Sequence, residues 1–205
     1  MKTLAFIMII SSLSAACSSD SPKSENDSMQ DVSSRAAAVE YEKVLDKYSA
    51  GDTEYNGFYH SFGFHAAILN SDLLEANIRL QSRFYMWDKT HTEQERDKLF
   101  KSAAEGTSVF LSFFTPEKKN DNLSTEKSIW RVLLDVGGKR YVGKIKKLKN
   151  NLSEMIALYP FHTRWNTAYY VTFPVPTSQA ETQTSKLTIT GPMGSRNIDF
   201  PAKAP

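Results

Sequence analysis

From residue 108 onward the chain breaks into short apolar or alternating runs divided by Gly, Pro and Asn-rich turn signals. Two stretches keep helical spacing instead, one ahead of the first strand and one, carrying cap residues, between strands. These observations predict a mainly β fold with helices, with about seven strands. The expected architecture is an immunoglobulin-like two-sheet β-sandwich with an N-terminal helix and an inserted helical hairpin. The cysteine pair of antibody domains is absent, so the expectation concerns architecture and not family membership.

The elements follow in order. Residues 35–49 place Ala37, Tyr41, Val44, Leu45 and Tyr48 on one helical stripe, with Ser34 as cap and Gly51 as stop. A stripe of this kind faces a core more often than a partner. Residues 57–69 change to period two. Phe58, His60, Phe62 and Phe64 fall on one face of a long strand that becomes apolar on both faces, as a central strand does. His60 reads as a core histidine. Residues 71–88 return to helical spacing, with Ser71 as cap and Leu73, Ala76, Leu80, Phe84 and Trp87 on one face. Residues 92–105 open on a capping box from Thr92 to Glu95, present Leu99, Phe100 and Ala103, and stop at Gly106.

Residues 108–115 hold three Phe and read as a buried strand. After a polar loop, strands over 128–136 and 139–146 flank Gly137-Gly138, a hairpin signal. Residues 150–159 fit a helical turn and a short strand. A strand over 167–174 and a polar loop lead to strands over 186–190 and 196–200, which pair across Gly191–Gly194 with Leu187, Ile189, Ile198 and Phe200 inward.

Charge and motif content narrow the chemistry. The chain of 205 residues has a formal net charge of +2 and one cysteine. That near-balance supplies no field for nucleic acid, and one thiol allows neither an internal disulfide nor a thiolate metal centre. His60, His65, His91 and His162 form no metal-ligand spacing, and His91 with Asp88 would need further ligands from other loops. No nucleophile elbow, P-loop or dinucleotide fingerprint is present, so no catalytic residue, metal or cofactor is assigned. Asn26, Asn122 and Asn151 match the N-glycosylation pattern without further support. Aromatic residues Trp130, Tyr159, Phe161, Trp165, Tyr169 and Tyr170, with Arg164 between them, would form a contact face only if Trp165 and Tyr170 were exposed together.

The one charge bias is Lys139, Arg140, Lys144, Lys146, Lys147 and Lys149, eleven residues without an acid. Lysines on a strand edge block edge-to-edge pairing, which is the commoner role. The same run would also face anionic headgroups or an acidic envelope protein or polymer partner.

The first seventeen residues carry the strongest signal. Lys2 is followed by an apolar run from Leu4 to Ile10, and Leu13-Ser14-Ala15-Ala16 leads to Cys17. A basic start, a short apolar core and a small-residue cleavage site make a secretory signal, and the run is too short for the ~20 residues of a membrane span. The stretch resembles the lipobox of bacterial lipoproteins, with Ser14 where that family prefers Leu. The resemblance implies cleavage before Cys17 and its lipidation with two or three acyl chains, enough for stable anchoring. Ser18, where an Asp would retain many such proteins in the inner membrane, implies the outer membrane by the same resemblance. The expected organisation is a signal peptide over 1–16, lipidated Cys17 and a disordered tether over 17–34, and one sandwich domain over 35–205. The expected role is a non-enzymatic binding or envelope-support module. The alternative is an envelope hydrolase with its site at the strand ends.

Overall fold

Alternating apolar residues and turn glycines lay down two antiparallel sheets. The computed structural model describes residues 25–149 and 151–203, with the backbone alone over 25–32. The expected signal peptide, Cys17, Ser18 and the start of the expected tether lie outside the described residues. Helix α1 (Glu25–Lys47) leads into a hairpin of β1 (Ser49–Asn56) and β2 (Tyr59–Ile68). Helices α2 (Ser71–Phe84) and α3 (Lys89–Glu105) form the inserted hairpin before β3 (Thr107–Phe114). Then come β4 (Arg131–Val136), β5 (Lys139–Val142), β6 (Lys144–Lys147) and α4 (Leu152–Leu158). The chain ends with β7 (Thr167–Phe173), the helical turn α5 (Thr177–Ala180), β8 (Ser185–Gly191) and β9 (Gly194–Phe200). One sheet has the order β1-β2-β3-β7-β6 and the other β5-β4-β8-β9, with every pairing antiparallel.

The sandwich with an N-terminal helix and an inserted helical hairpin is thus the observed architecture. Phe62, Phe64, Leu111, Phe113, Val171 and Phe173 of the five-stranded sheet meet Val132, Leu134, Leu187, Ile189 and Phe200 of the four-stranded one. Trp130 lies edge-on to Phe62 and Phe113, with ring centroids 4.8 and 5.2 Å away. Burial of each such side chain contributes ~1.5–3 kcal/mol. On its other face the five-stranded sheet packs Ala67, Phe110 and Ala168 against Tyr41 and Leu45 of α1, Leu73 and Leu80 of α2, and Met155 of α4.

Several boundaries differ from the sequence expectation. Helix α1 begins at Glu25 and not after Ser34, so the latter part of the expected tether is helical. No Gly or Pro lies between Glu25 and Lys47 to stop a helix once it is nucleated. Gly51 does not end this helix but lies in β1, an edge strand whose polar residues give no apolar alternation. Asn70, not Ser71, caps α2, its side-chain oxygen accepting from the Leu73 amide at 3.0 Å. Asp88 caps α3 four residues ahead of the start of the expected capping box, accepting from the His91 amide at 2.7 Å. Phe58 sits in the β1–β2 turn and is fully exposed. The register shifts where Glu54 pairs with Phe62 and Tyr55 with His60, a bulge at Ser61. A one-residue bulge reverses the faces beyond it, so His60 stands beside Gly63 and Phe114 and not among the core phenylalanines.

The expected strand over 139–146 is two strands in two sheets. At Gly143 the chain leaves β5 and crosses to β6, while the Gly143 amide donates to the Val132 carbonyl at 2.9 Å. A Cβ at Gly143 would lie 2.3 Å from Val171 Cγ1 and 2.9 Å from Phe173 Cε1. The corner therefore admits only a residue without a side chain. Gly143→Ala is expected to lower stability by about 1–3 kcal/mol through overpacking, read as a fall in the urea midpoint. An unchanged midpoint would show that the two β7 side chains move aside freely.

Candidate functional site

The crossover divides the basic run. Lys139 and Arg140 lie on β5, where Arg140 holds Asp135 through two hydrogen bonds of 2.8 and 3.0 Å. This pair keeps the Asp135 carboxyl below the usual carboxylate range. Lys144, Lys146 and Lys147 lie on β6, an edge of the other sheet, and Lys149 follows it. The six residues therefore do not form one patch. The alternation of β6 sends Ile145 to the core between the sheets and turns Lys144 and Lys146 to the helix-covered face, opposite Thr172 and Tyr170 of β7. Neither lysine makes an ion pair among the described residues.

On that face a space of about 290 Å³ opens beneath α3. Leu69 and Leu74 of the β2–α2 segment, Leu99 of α3 and Tyr170 of β7 supply apolar surface, and Lys146 lines the same space. It adjoins a second space of about 150 Å³ that shares those four residues and reaches Trp87 and Glu95. A third, of about 190 Å³, shares Leu74 and Thr177 and ends at Glu181. The spaces exist because α3 is a poor cover. None of its residues is buried, and Leu99, Phe100 and Ala103 reach only partial burial. Thr177 lines the first and third spaces, is 4% exposed, and its Oγ1 has no hydrogen-bond partner among the described residues. Gly106 closes the far end of α3. A Cβ there would come within 2.8 Å of the Phe173 carbonyl oxygen. The sequence signal for this site is weak, because its walls come from α2, α3, β3, β6, β7 and α5, and of its residues only Lys146 in the basic run and Tyr170 among the aromatics stand out as possible contact residues.

The aromatic candidates do not form a shared surface. Trp130, Tyr159 and Tyr169 are buried, and only Trp165 is open, 64% exposed with the Arg164 guanidinium 5.1 Å from its ring centroid. Tyr159 stacks on Phe110 at 3.6 Å between centroids. Burial pushes the Tyr41, Tyr159 and Tyr170 phenols up, so all three stay protonated at neutral pH. The Tyr41 hydroxyl donates to the Leu158 carbonyl at 2.8 Å and ties α1 to α4.

The histidines occupy four separate settings. His60 stacks against Tyr55, and its Nε2 has no hydrogen-bond partner among the described residues, so it is not a satisfied core histidine. His65 stacks on Phe161 at 4.0 Å and approaches Ser49 Oγ at 3.4 Å. His91 lies in the first turn of α3, whose cap occupies the Asp88 carboxylate. His162 Nδ1 is 2.8 Å from Ser112 Oγ, and Asn166 Nδ2 donates to the same oxygen at 2.9 Å. A Ser–His contact can serve nucleophilic catalysis, but Ser112 is completely buried in mid-strand and already accepts from Asn166. Among the described residues no three His, Cys, Asp or Glu side chains converge as metal ligands. No protein-family model, curated protein or solved structure matches the chain.

Two predictions follow from this geometry. Ser112→Ala leaves His162 Nδ1 and Asn166 Nδ2 without their shared partner and is expected to cost ~1–3 kcal/mol, measured by urea denaturation. Stability unchanged by the substitution would show that the contact is dispensable. Burial pushes the His65 and His162 imidazoles down, with nearby Asp46 partly opposing this at His65. Unfolded histidine titrates near pH ~6.5, so below that value the unfolded chain takes up protons that the folded chain does not. Stability is therefore full above pH ~6.5 and declines as pH falls through the depressed folded values. Urea midpoints between pH 7.5 and 5.5 should show the decline, and His65→Phe with His162→Gln should flatten it.

Proposed function

We propose that the chain is a lipid-anchored envelope protein whose sandwich is a non-enzymatic binding module, with the space beneath α3 as its binding site. The observation that carries this reading is the Thr177 hydroxyl, buried and unpartnered on the wall of a pocket that Leu69, Leu74, Leu99 and Tyr170 make largely apolar and that Lys146, Ser102, Ser108 and Thr172 also line. An unsatisfied buried polar group costs ~1–3 kcal/mol, and a polar atom of a ligand would recover it. Apolar walls with a few placed polar groups are the usual make-up of a small-molecule site. The alternative of an envelope hydrolase draws on the Ser112–His162 contact, but substrate would have to reach a hydroxyl with no exposure.

The anchor reading rests on the lipobox-like stretch ending at Cys17 and, for the outer membrane, on Ser18. No described helix is long and apolar enough to cross a membrane. Cys17 precedes Glu25 by eight residues, a reach of at most ~29 Å when extended. The part of α1 ahead of Ala38, where its packing on the core begins, adds at most ~20 Å of helix. The module would thus stand off the membrane on a helix as well as on a tether, free to meet a protein or polymer of the envelope.

The test is intact mass and membrane fractionation of the wild type and Cys17→Ala in a Gram-negative host. The wild type should carry acyl mass and sediment with outer membrane, and the variant should remain soluble. If both are soluble and unmodified, the anchor reading fails.

A further inference from the structure

We infer that the space beneath α3 takes a single-chain amphiphile with an anionic head, in the simplest case a long-chain carboxylate. The inference rests on the binding-module reading and names the ligand class of the same site.

Shape and charge both point this way. The three adjoining spaces share Leu74, and the first two also share Leu69, Leu99 and Tyr170, so together they make a largely apolar cleft around α3. Its largest part, about 290 Å³, is at the lower end of the ~300–1,000 Å³ typical of ligand pockets. A space of this volume accepts one hydrocarbon chain more readily than two. Lys146 is the sole charged residue lining that part, and it has no ion-pair partner among the described residues. Lys144 lies two residues away on the same strand face and adds to the positive potential at the sheet edge.

The acids are placed at the other ends. Glu95 lines the second space and Glu181 the third. An anionic head is therefore favoured at Lys146 and disfavoured at both alternatives, which orients the chain inward along Leu69, Leu74 and Leu99. A cationic head finds no equivalent, because Glu95 is already paired with Lys98 and Glu181 already accepts from the Ser71 amide and hydroxyl. The cover itself is compatible with entry. Helix α3 buries no residue, and its link to α2 through Arg96 and Glu75 is exposed, a kind of pair that contributes little to stability.

The test uses the full chain carrying Cys17→Ala, which removes the protein's own acyl chains as competitors. Carboxyl-¹³C dodecanoate, dodecanol and dodecylammonium are each titrated below their aggregation limits, followed by NMR and by tryptophan emission. Dodecanoate should bind saturably, one per chain, and more tightly than the other two. Lys146→Gln, at an exposed position, should weaken dodecanoate about tenfold, the size of one lost charge-assisted hydrogen bond, and leave dodecanol unchanged. Leu99→Trp should fill the cleft and abolish both, while Lys139→Gln on the other sheet should change nothing. Dodecylammonium binding as tightly as dodecanoate, or no effect of Lys146→Gln, overturns the assignment of an anionic head. If dodecanol still binds in that case and is lost in Leu99→Trp, the pocket reading survives without it. If none of the three binds, both readings fall.

Discussion

The five-stranded sheet is apolar on both faces, and a sheet of that kind must be covered twice. Strand β3 shows the constraint most clearly. Val109, Leu111 and Phe113 point to the second sheet, and Phe110 points to the helices, where Tyr159 stacks on it. The four-stranded sheet covers the first face. It needs only one apolar face of its own, so Arg131, Asp135, Lys186 and Asp199 are left to solvent or intermediate positions on its outside. The second face falls to helices joined by short connections, and they cover it unevenly.

Helices α1 and α2 meet the demand because each offers a full apolar stripe. Tyr41 and Leu45 from the first and Leu73, Ala76 and Leu80 from the second are all buried. A polar clasp then fixes their junction. The Tyr48 hydroxyl donates to Asp72 at 2.8 Å, Lys203 pairs with Asp72 at 2.9 Å, and Ser71 donates to Glu181 through its amide and its hydroxyl. Partial burial works against the Asp72 charge, yet Lys203 and Tyr48 outweigh it and hold the carboxyl below the usual carboxylate range. The clasp also positions α5 and with it Thr177. Helix α3 has no comparable attachment. Its apolar residues are few and its cap is exposed, so its place over the sheet depends on little buried area, a mark of an element that opens at low cost.

Much of this architecture was legible because periodicity reports burial directly. The stripe of α1, the alternation in β8 and β9, and the Gly137-Gly138 turn at φ 58° and 76° all follow from the sequence pattern. What was not legible depended on partners distant in sequence. Strand β1 is polar and exists through backbone pairing with β2. The bulge at Ser61 turns His60 by one step without altering the local alternation of residue types. The site was hidden for the same reason. Thr177 reads as a loop residue, and Leu69, Leu74 and Leu99 read as ordinary core, until the sheet shows that α3 fails to close over them.

The basic run shows how a charge cluster in sequence can differ from one in space. Had residues 139–149 continued as one strand of the four-stranded sheet, all six cations would have lined a single exposed edge, where lysines serve mainly to prevent sheet-to-sheet association. Gly143 redirects the chain because no side chain fits between it and Val171. The redirection starts a new alternation in which Ile145 must enter the core, and that requirement places Lys146 on the opposite face, beside Tyr170 and at the open side of the cleft. The cation at the cleft is thus a consequence of packing at the corner. The same two strands that join the sheets also set the sign of the potential at the poorly covered face beneath α3.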